Sequence, residues 1–162
     1  MGSEMCIRDR GIDRLSKYIK RFGFGQPIGL ALQGEVSGTV PDRAWKRQVF
    51  DDTWRLGDTY ITAIGQFGFQ VTPLQVARAY GALANGGKLL TPQFEKGATP
   101  DYTDLKLDED KLGVIQSGLR LAVTDNLGTA RRLNREDVAI AAKSGTAELL
   151  SLIHISEPTR PY

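Results

Sequence analysis

Lys143-Ser144-Gly145-Thr146 places a cation, two hydroxyls and a glycine at the end of an apolar run. An ammonium group flanked by hydroxyl donors suits a carboxylate. Gly145 has no Cβ, so a ligand backbone can approach the chain there and pair with it as an added strand. Other chemistries fail on spacing. A phosphate-binding loop ending in Lys-Ser needs glycine directly before the lysine, where Ala142 stands. Gly23, Gly25 and Gly29 miss the dinucleotide spacing by one residue and follow a predicted helix rather than a strand.

The segments that must position this tetrapeptide read as mixed α and β, with helices dominating. Val138 to Ala142 is short, apolar and partly β-branched, which predicts a strand running straight into Lys143. Glu109 to Val123 predicts a helix with Leu112, Ile115 and Leu119 inward, closed by Asn126 to Gly128. Thr72-Pro73-Leu74-Gln75 carries a helix start, with Thr72 as cap, Pro73 at the first helical position and Gln75 completing a capping box. Its apolar face reads as Leu74, Ala77, Leu83 and Ala84, and Asn85-Gly86-Gly87 stops it. Ile12, Leu15, Ile19 and Phe22 recur at helical steps, so Gly11 to Phe22 predicts an amphipathic helix stopped by Gly23 and Gly25. Gly25 to Pro41, rich in Gly, Pro and Ser, reads as loop or short strand. Gly57-Asp58-Thr59 after Trp54 fits either a helix cap or a wall of the site. So few strands in so long a segment is the pattern of an incomplete α/β (α+β) domain.

Composition narrows the function classes. The chain has 162 residues, 41% hydrophobic and 25% charged, with a net charge of +2, which is globular and argues for no nucleic-acid partner. Arg131, Arg132 and Arg135 form the densest basic cluster and read as a solvated face. No apolar run reaches the roughly 20 residues that span a bilayer. The only cysteine, Cys6, and the only histidine, His154, lie near the ends, so the middle offers no Cys/His metal site and no cofactor is expected.

Both ends read as foreign. Residues 1–10, MGSEMCIRDR, back-translate to GTG-GGC-TCG-GAG-ATG-TGT-ATA-AGA-GAC-AG, with GTG as a start codon, and the reverse complement of that string translates to Leu-Ser-Leu-Ile-His-Ile-Ser-Glu-Pro-Thr, the sequence of residues 150–159. The DNA string resembles a transposase adapter used in sequencing libraries. Residues 1–10 and 150–162 are therefore expected to be adapter translation, and residues 11–149 a partial domain.

The blocks of the middle segment carry a resemblance. They run from Gly11-Ile12-Asp13-Arg14-Leu15 and Phe22-Gly23-Phe24-Gly25 through Gly34-Glu35-Val36-Ser37-Gly38, Trp45-Lys46, Trp54 and Gly57-Asp58-Thr59. Ile64-Gly65-Gln66, Val71-Thr72-Pro73-Leu74-Gln75, Leu83-Ala84-Asn85-Gly86-Gly87, Gly128-Thr129-Ala130 and Ala142-Lys143-Ser144-Gly145-Thr146-Ala147 follow in order. In this order the segment resembles the class B penicillin-binding proteins, whose elongation-type branch it is most like. Their marks include the Lys-x-Gly strand. Phe67-Gly68 stands where the family has glycine then an aromatic, and Ala31 where it tends to have Asp.

The resemblance implies a penicillin-binding, β-lactamase-like transpeptidase domain, incomplete here: mainly helices plus the substrate-binding strand. It implies a serine-type D,D-transpeptidase that cross-links peptidoglycan stem peptides ending in D-Ala-D-Ala and is acylated by β-lactams. Lys143, Ser144, Gly145 and Thr146 would bind the substrate's terminal carboxylate, and the Thr146 N–H would supply half of the oxyanion hole, its catalytic role. Ser16, Ser37, Ser117 and Ser144 all lack a lysine three residues later and an asparagine two residues later, so the nucleophile is expected to be absent and the chain inactive. The parent is expected at the bacterial inner membrane, its catalytic domain outside the cytoplasm, with cell-wall elongation partners. A serine β-lactamase piece and a non-catalytic peptide- or carboxylate-binding module are the alternatives.

Overall fold

The computed structural model describes residues 3–30 and 34–145. Its elements are α1 (Ser3–Arg21), α2 (Arg43–Phe50), α3 (Leu56–Ala63), α4 (Pro73–Ala84), β1 (Lys88–Thr91), β2 (Asp101–Asp104), α5 (Glu109–Thr124) and a 3-10 turn, Arg131–Leu133. Helices dominate, as the periodicities predict.

α1 contains two helical stretches that meet at Gly11, whose φ of 73° and ψ of 163° are non-helical. Beyond that point Ile12 is 1% exposed and Leu15, Ile19 and Phe22 are partly buried. Phe22 packs with Leu107 against the small core of Ala82, Leu89 and Leu105. The Arg21 guanidinium donates to the Leu105 carbonyl. These contacts join the end of α1 to a hairpin in which Leu89 pairs antiparallel with Thr103.

α4 starts as its capping box requires. Thr72 Oγ1 accepts the Gln75 N–H at 3.1 Å, and Gln75 Oε1 accepts the Thr72 N–H at 2.9 Å. Its buried face differs from the expected one. Gln75, Ala79 and Ala82 are buried, whereas Leu74, Ala77 and Ala84 are exposed and Leu83 is half-buried. The helix turns this face inward because the Gln75 amide donates to the carbonyls of Gln26 and Ser37, both at 2.9 Å. In α5, likewise, Leu112 is buried and Leu119 half-buried, but Ile115 is 46% exposed.

Asp58 and Thr59 serve as structural residues of α3. The Asp58 carboxylate accepts the Arg55 N–H at 2.7 Å, closing the helix start, and Lys46 Nζ at 2.6 Å. Thr59 Oγ1 accepts Trp54 Nε1 at 2.9 Å. Lys46 also meets Asp52 at 3.1 Å and is itself buried. Phe67 stands at φ 61°, a left-handed conformation that costs a non-glycine residue about 1–2 kcal/mol. Its ring packs edge-on against Trp45 and Trp54 and stacks on Phe50. That packing holds a bulky residue in this left-handed position.

Burial raises the Asp58 pKa, but the Lys46 and Arg55 donors outweigh it and hold the carboxyl below its ordinary 3.8. A depressed carboxylate pKa contributes stability above the unfolded value, lost as pH falls through the folded one. Asp58→Asn is therefore expected to lower the thermal midpoint at neutral pH, with the gap from wild type closing below about pH 4. A pH-independent gap in paired melting curves would sink this assignment.

The expected strand at Val138 to Ala142 is not formed. Among the described residues, sheet pairing is confined to β1–β2 and one bridge, Thr39 with Gln70. A strand needs a neighbour for its N–H and C=O groups, and here those groups turn to α5 instead. The Ala142 N–H donates to Leu119 O at 2.9 Å, and Arg120 Nη1 donates to Ile140 O at 2.6 Å. Exposed large apolar side chains outnumber buried ones among the described residues, the surface of a domain that lacks part of its packing.

Candidate functional site

α5 carries the site. Its N-terminus is capped by the Asp108 carboxylate, which accepts the Lys111 N–H at 3.0 Å, and Glu109 and Asp110 complement the positive end of the helix. At the other end the chain turns sharply back. The Gly128 N–H donates to Asp125 O at 3.0 Å and the Ala130 N–H to Ala122 O at 2.9 Å. A Cβ on Gly128 would stand 2.4 Å from Ala122 O, so the turn admits no larger residue undisturbed.

Residues 139–145 return alongside this turn, and the Ser144 hydroxyl donates to Thr129 Oγ1 at 3.1 Å. The two segments form the walls of an open groove of about 780 Å³, lined by residues 128–133 and 142–144. Both walls hang from the C-terminal half of α5, through the carbonyls of Ala122 and Leu119.

Lys143 and Ser144 both line the groove. Lys143 is exposed and its Nζ donates to the Ser144 carbonyl at 2.7 Å. Gly145 is exposed, and a Cβ there would meet nothing within 4 Å among the described residues. Thr146, the residue expected to supply the oxyanion N–H, lies outside the described residues.

Sequence reasoning missed part of the site. Thr129 anchors Ser144, although Gly128-Thr129-Ala130 carried no role beyond its place among the family blocks. Arg131 and Arg132 are exposed, as a solvated cluster would be, yet both line the groove. Arg135 leaves that cluster and pairs with Asp137 through two bonds of 2.8 and 2.7 Å. This contact raises the guanidinium pKa and lowers that of the carboxylate. Among the described residues the groove is lined by three positive side chains, Arg131, Arg132 and Lys143, and by no acid. No group of three or more His, Cys, Asp or Glu converges among the described residues.

Comparison with known proteins places this arrangement. The family model for the penicillin binding protein transpeptidase domain matches residues 2–154. The peptidoglycan D,D-transpeptidase MrdA of Haemophilus influenzae is 39% identical over 154 residues, covering 88% of this chain and 24% of that protein. MrdA of Escherichia coli K12 is 36% identical over 156 residues, covering 89% and 25%. Among solved structures, a penicillin-binding protein (PBP2) from Helicobacter pylori in complex with MreC is 37% identical, with a TM-score of 0.82 over 90% of this chain and 28% of that one. The chain spans about a quarter of the length of the curated relatives it matches. By the extent of the family match and the fold it shares with PBP2, the chain belongs to the penicillin-binding protein transpeptidase domain family.

Proposed function

We propose that this chain is the carboxylate-binding part of a peptidoglycan D,D-transpeptidase, with residues 11–149 as its share of the domain. In the whole enzyme a serine attacks the D-Ala-D-Ala carbonyl, releases the terminal D-Ala and forms an acyl-enzyme; an amine of a second strand then resolves it. Penicillins acylate the same serine. The observation that carries the reading is the groove in which Lys143 and Ser144 stand against Thr129, with the Ser144 hydroxyl held at 3.1 Å.

Lys143 supplies the charge for the terminal carboxylate, and Ser144 and Thr146 the hydroxyl donors. Gly145 admits the peptide backbone, and the Thr146 N–H donates to the developing oxyanion, a contact whose loss typically costs about 10²–10³ in rate. The whole protein would be anchored in the inner membrane, act outside the cytoplasm and work with elongation partners; the H. pylori relative is seen in complex with MreC. No helix among the described residues is long and apolar enough to cross a membrane.

Its four serines outside residues 1–10 and 150–162 lack the Ser-x-x-Lys pattern, so the 162-residue chain is expected to form no covalent adduct with a fluorescent penicillin. Intact-mass measurement after incubation reads this directly. A stoichiometric acyl adduct would show that a nucleophile is present after all.

A further inference from the structure

We propose that Arg131 and Arg132 form a second anion-binding point in the Lys143 groove, selecting peptides that carry a carboxylate in addition to the C-terminal one. The inference rests on the carboxylate role of Lys143 argued above and extends it to the rest of the ligand.

The geometry separates the two charges. Lys143 and Ser144 stand on the returning segment, whereas Arg131 and Arg132 stand on the 3-10 turn that forms the facing wall. The Ser144–Thr129 hydroxyl bond joins the two segments, and Arg131, Arg132 and Lys143 all line the groove they form. A groove of about 780 Å³ is far larger than one carboxylate and has room for a peptide. A monoanionic ligand held by Lys143 would leave two further cations of the groove unmatched, because no acidic side chain lines it among the described residues.

Guanidinium is the side chain fitted to planar, two-pronged binding of a carboxylate. The position also agrees with local structure. Arg135, the third member of the basic cluster, is held away by its two bonds to Asp137. The Arg131–Leu133 turn is pinned by the Leu133 N–H to Ala130 O and the Asn134 N–H to Arg131 O, at 2.9 and 3.0 Å. The two arginines are thereby presented to the groove from a fixed backbone.

The test compares N-acetyl-D-Ala-D-Ala with N-succinyl-D-Ala-D-Ala, which differs by the added carboxylate, in titrations of the full 162-residue chain followed by NMR. The succinyl peptide is expected to bind about 5–10-fold more tightly, the scale of one charge-assisted contact. The Arg131→Gln/Arg132→Gln variant should bring that ratio to about one. Arg135→Gln removes a nearby charge outside the groove and should leave the ratio as in wild type, which separates a built site from a general basic surface. Lys143→Gln should weaken both peptides. Equal affinity of wild type for the two peptides, or a ratio that collapses equally in Arg135→Gln, would overturn the second site alone. Failure of either peptide to bind, or binding indifferent to Lys143→Gln, would overturn the carboxylate reading and this inference with it. Circular dichroism of each variant excludes loss of fold as the cause.

Discussion

Gln75→Ala is expected to accelerate amide exchange at Thr39 and Gln70 by roughly two orders of magnitude, about 3 kcal/mol in opening free energy. The Gln75 side chain is 1% exposed and makes three hydrogen bonds to backbone: it donates to Gln26 O and Ser37 O and accepts the Thr72 N–H. Alanine leaves all three groups without that partner, and a buried polar group left unsatisfied costs about 1–3 kcal/mol. The loop ahead of α2 would lose its tie to α4. The Thr39–Gln70 bridge beside it, with N–H to O distances of 2.7 and 2.9 Å, would open with it. Gln75→Glu sharpens the test. It keeps the acceptor for Thr72 but aims a carboxylate at two carbonyl oxygens, so burial and those dipoles raise its pKa. A raised pKa means the protonated form, which donates once, is the one that supports the fold. Protection relative to wild type should accordingly recover as pH falls. Unchanged exchange in Gln75→Ala would show that the amide is not the tie between these segments.

The same residue shows what was legible in the sequence. Its capping role is local, fixed by Thr72 and Pro73 within one turn, and could be read directly. Its second role depends on the carbonyls of Gln26 and Ser37, far away in sequence, so the buried face of α4 came out rotated from the apolar stripe of Leu74, Ala77, Leu83 and Ala84. The hairpin of β1 and β2 was not read as strand at all. Every residue of Asp101–Asp104 is exposed, and without a buried face there is no alternation to read. Val138 to Ala142 failed in the opposite sense. Its composition favours a strand, but with no ladder alongside among the described residues its polar groups bond to α5.

Of the candidate site, Lys143 and Ser144 stand out in the sequence because the tetrapeptide sits in an ordered run of blocks. The same is not true of the facing wall. Arg131 and Arg132 have the pattern of a solvated basic cluster, and the turn at Gly128 brings them into the groove that Lys143 lines. That fold-back is a tertiary event, set by hydrogen bonds from Gly128 and Ala130 to carbonyls near the end of α5. Asp58 and Thr59 admit two readings in the sequence, and their contacts with Arg55, Lys46 and Trp54 are those of the capping reading.

Because the groove depends on that fold-back, Gly128→Ala should damage stability and binding together. A Cβ at Gly128 would lie 2.4 Å from Ala122 O, 2.9 Å from Ala122 C and 3.0 Å from Asp125 O. All three are backbone atoms, so no side chain can rotate away, and either the last turn of α5 or residues 128–130 must shift. Such overpacking costs about 1–3 kcal/mol. The shift would break the Ala130 N–H to Ala122 O bond and move Thr129 from Ser144. A displacement of about 1 Å in a binding wall can cost up to about 10²-fold in function. N-acetyl-D-Ala-D-Ala should therefore bind at least about tenfold more weakly, in step with a lower melting point. Gly113→Ala supplies the contrast on the same helix. A Cβ there meets nothing within 4 Å, and alanine in a helix interior is favoured over glycine by about 0.5–1 kcal/mol. It should raise the melting point and leave binding alone. If Gly128→Ala bound the dipeptide as Gly113→Ala and wild type do, the turn would have no part in shaping the groove.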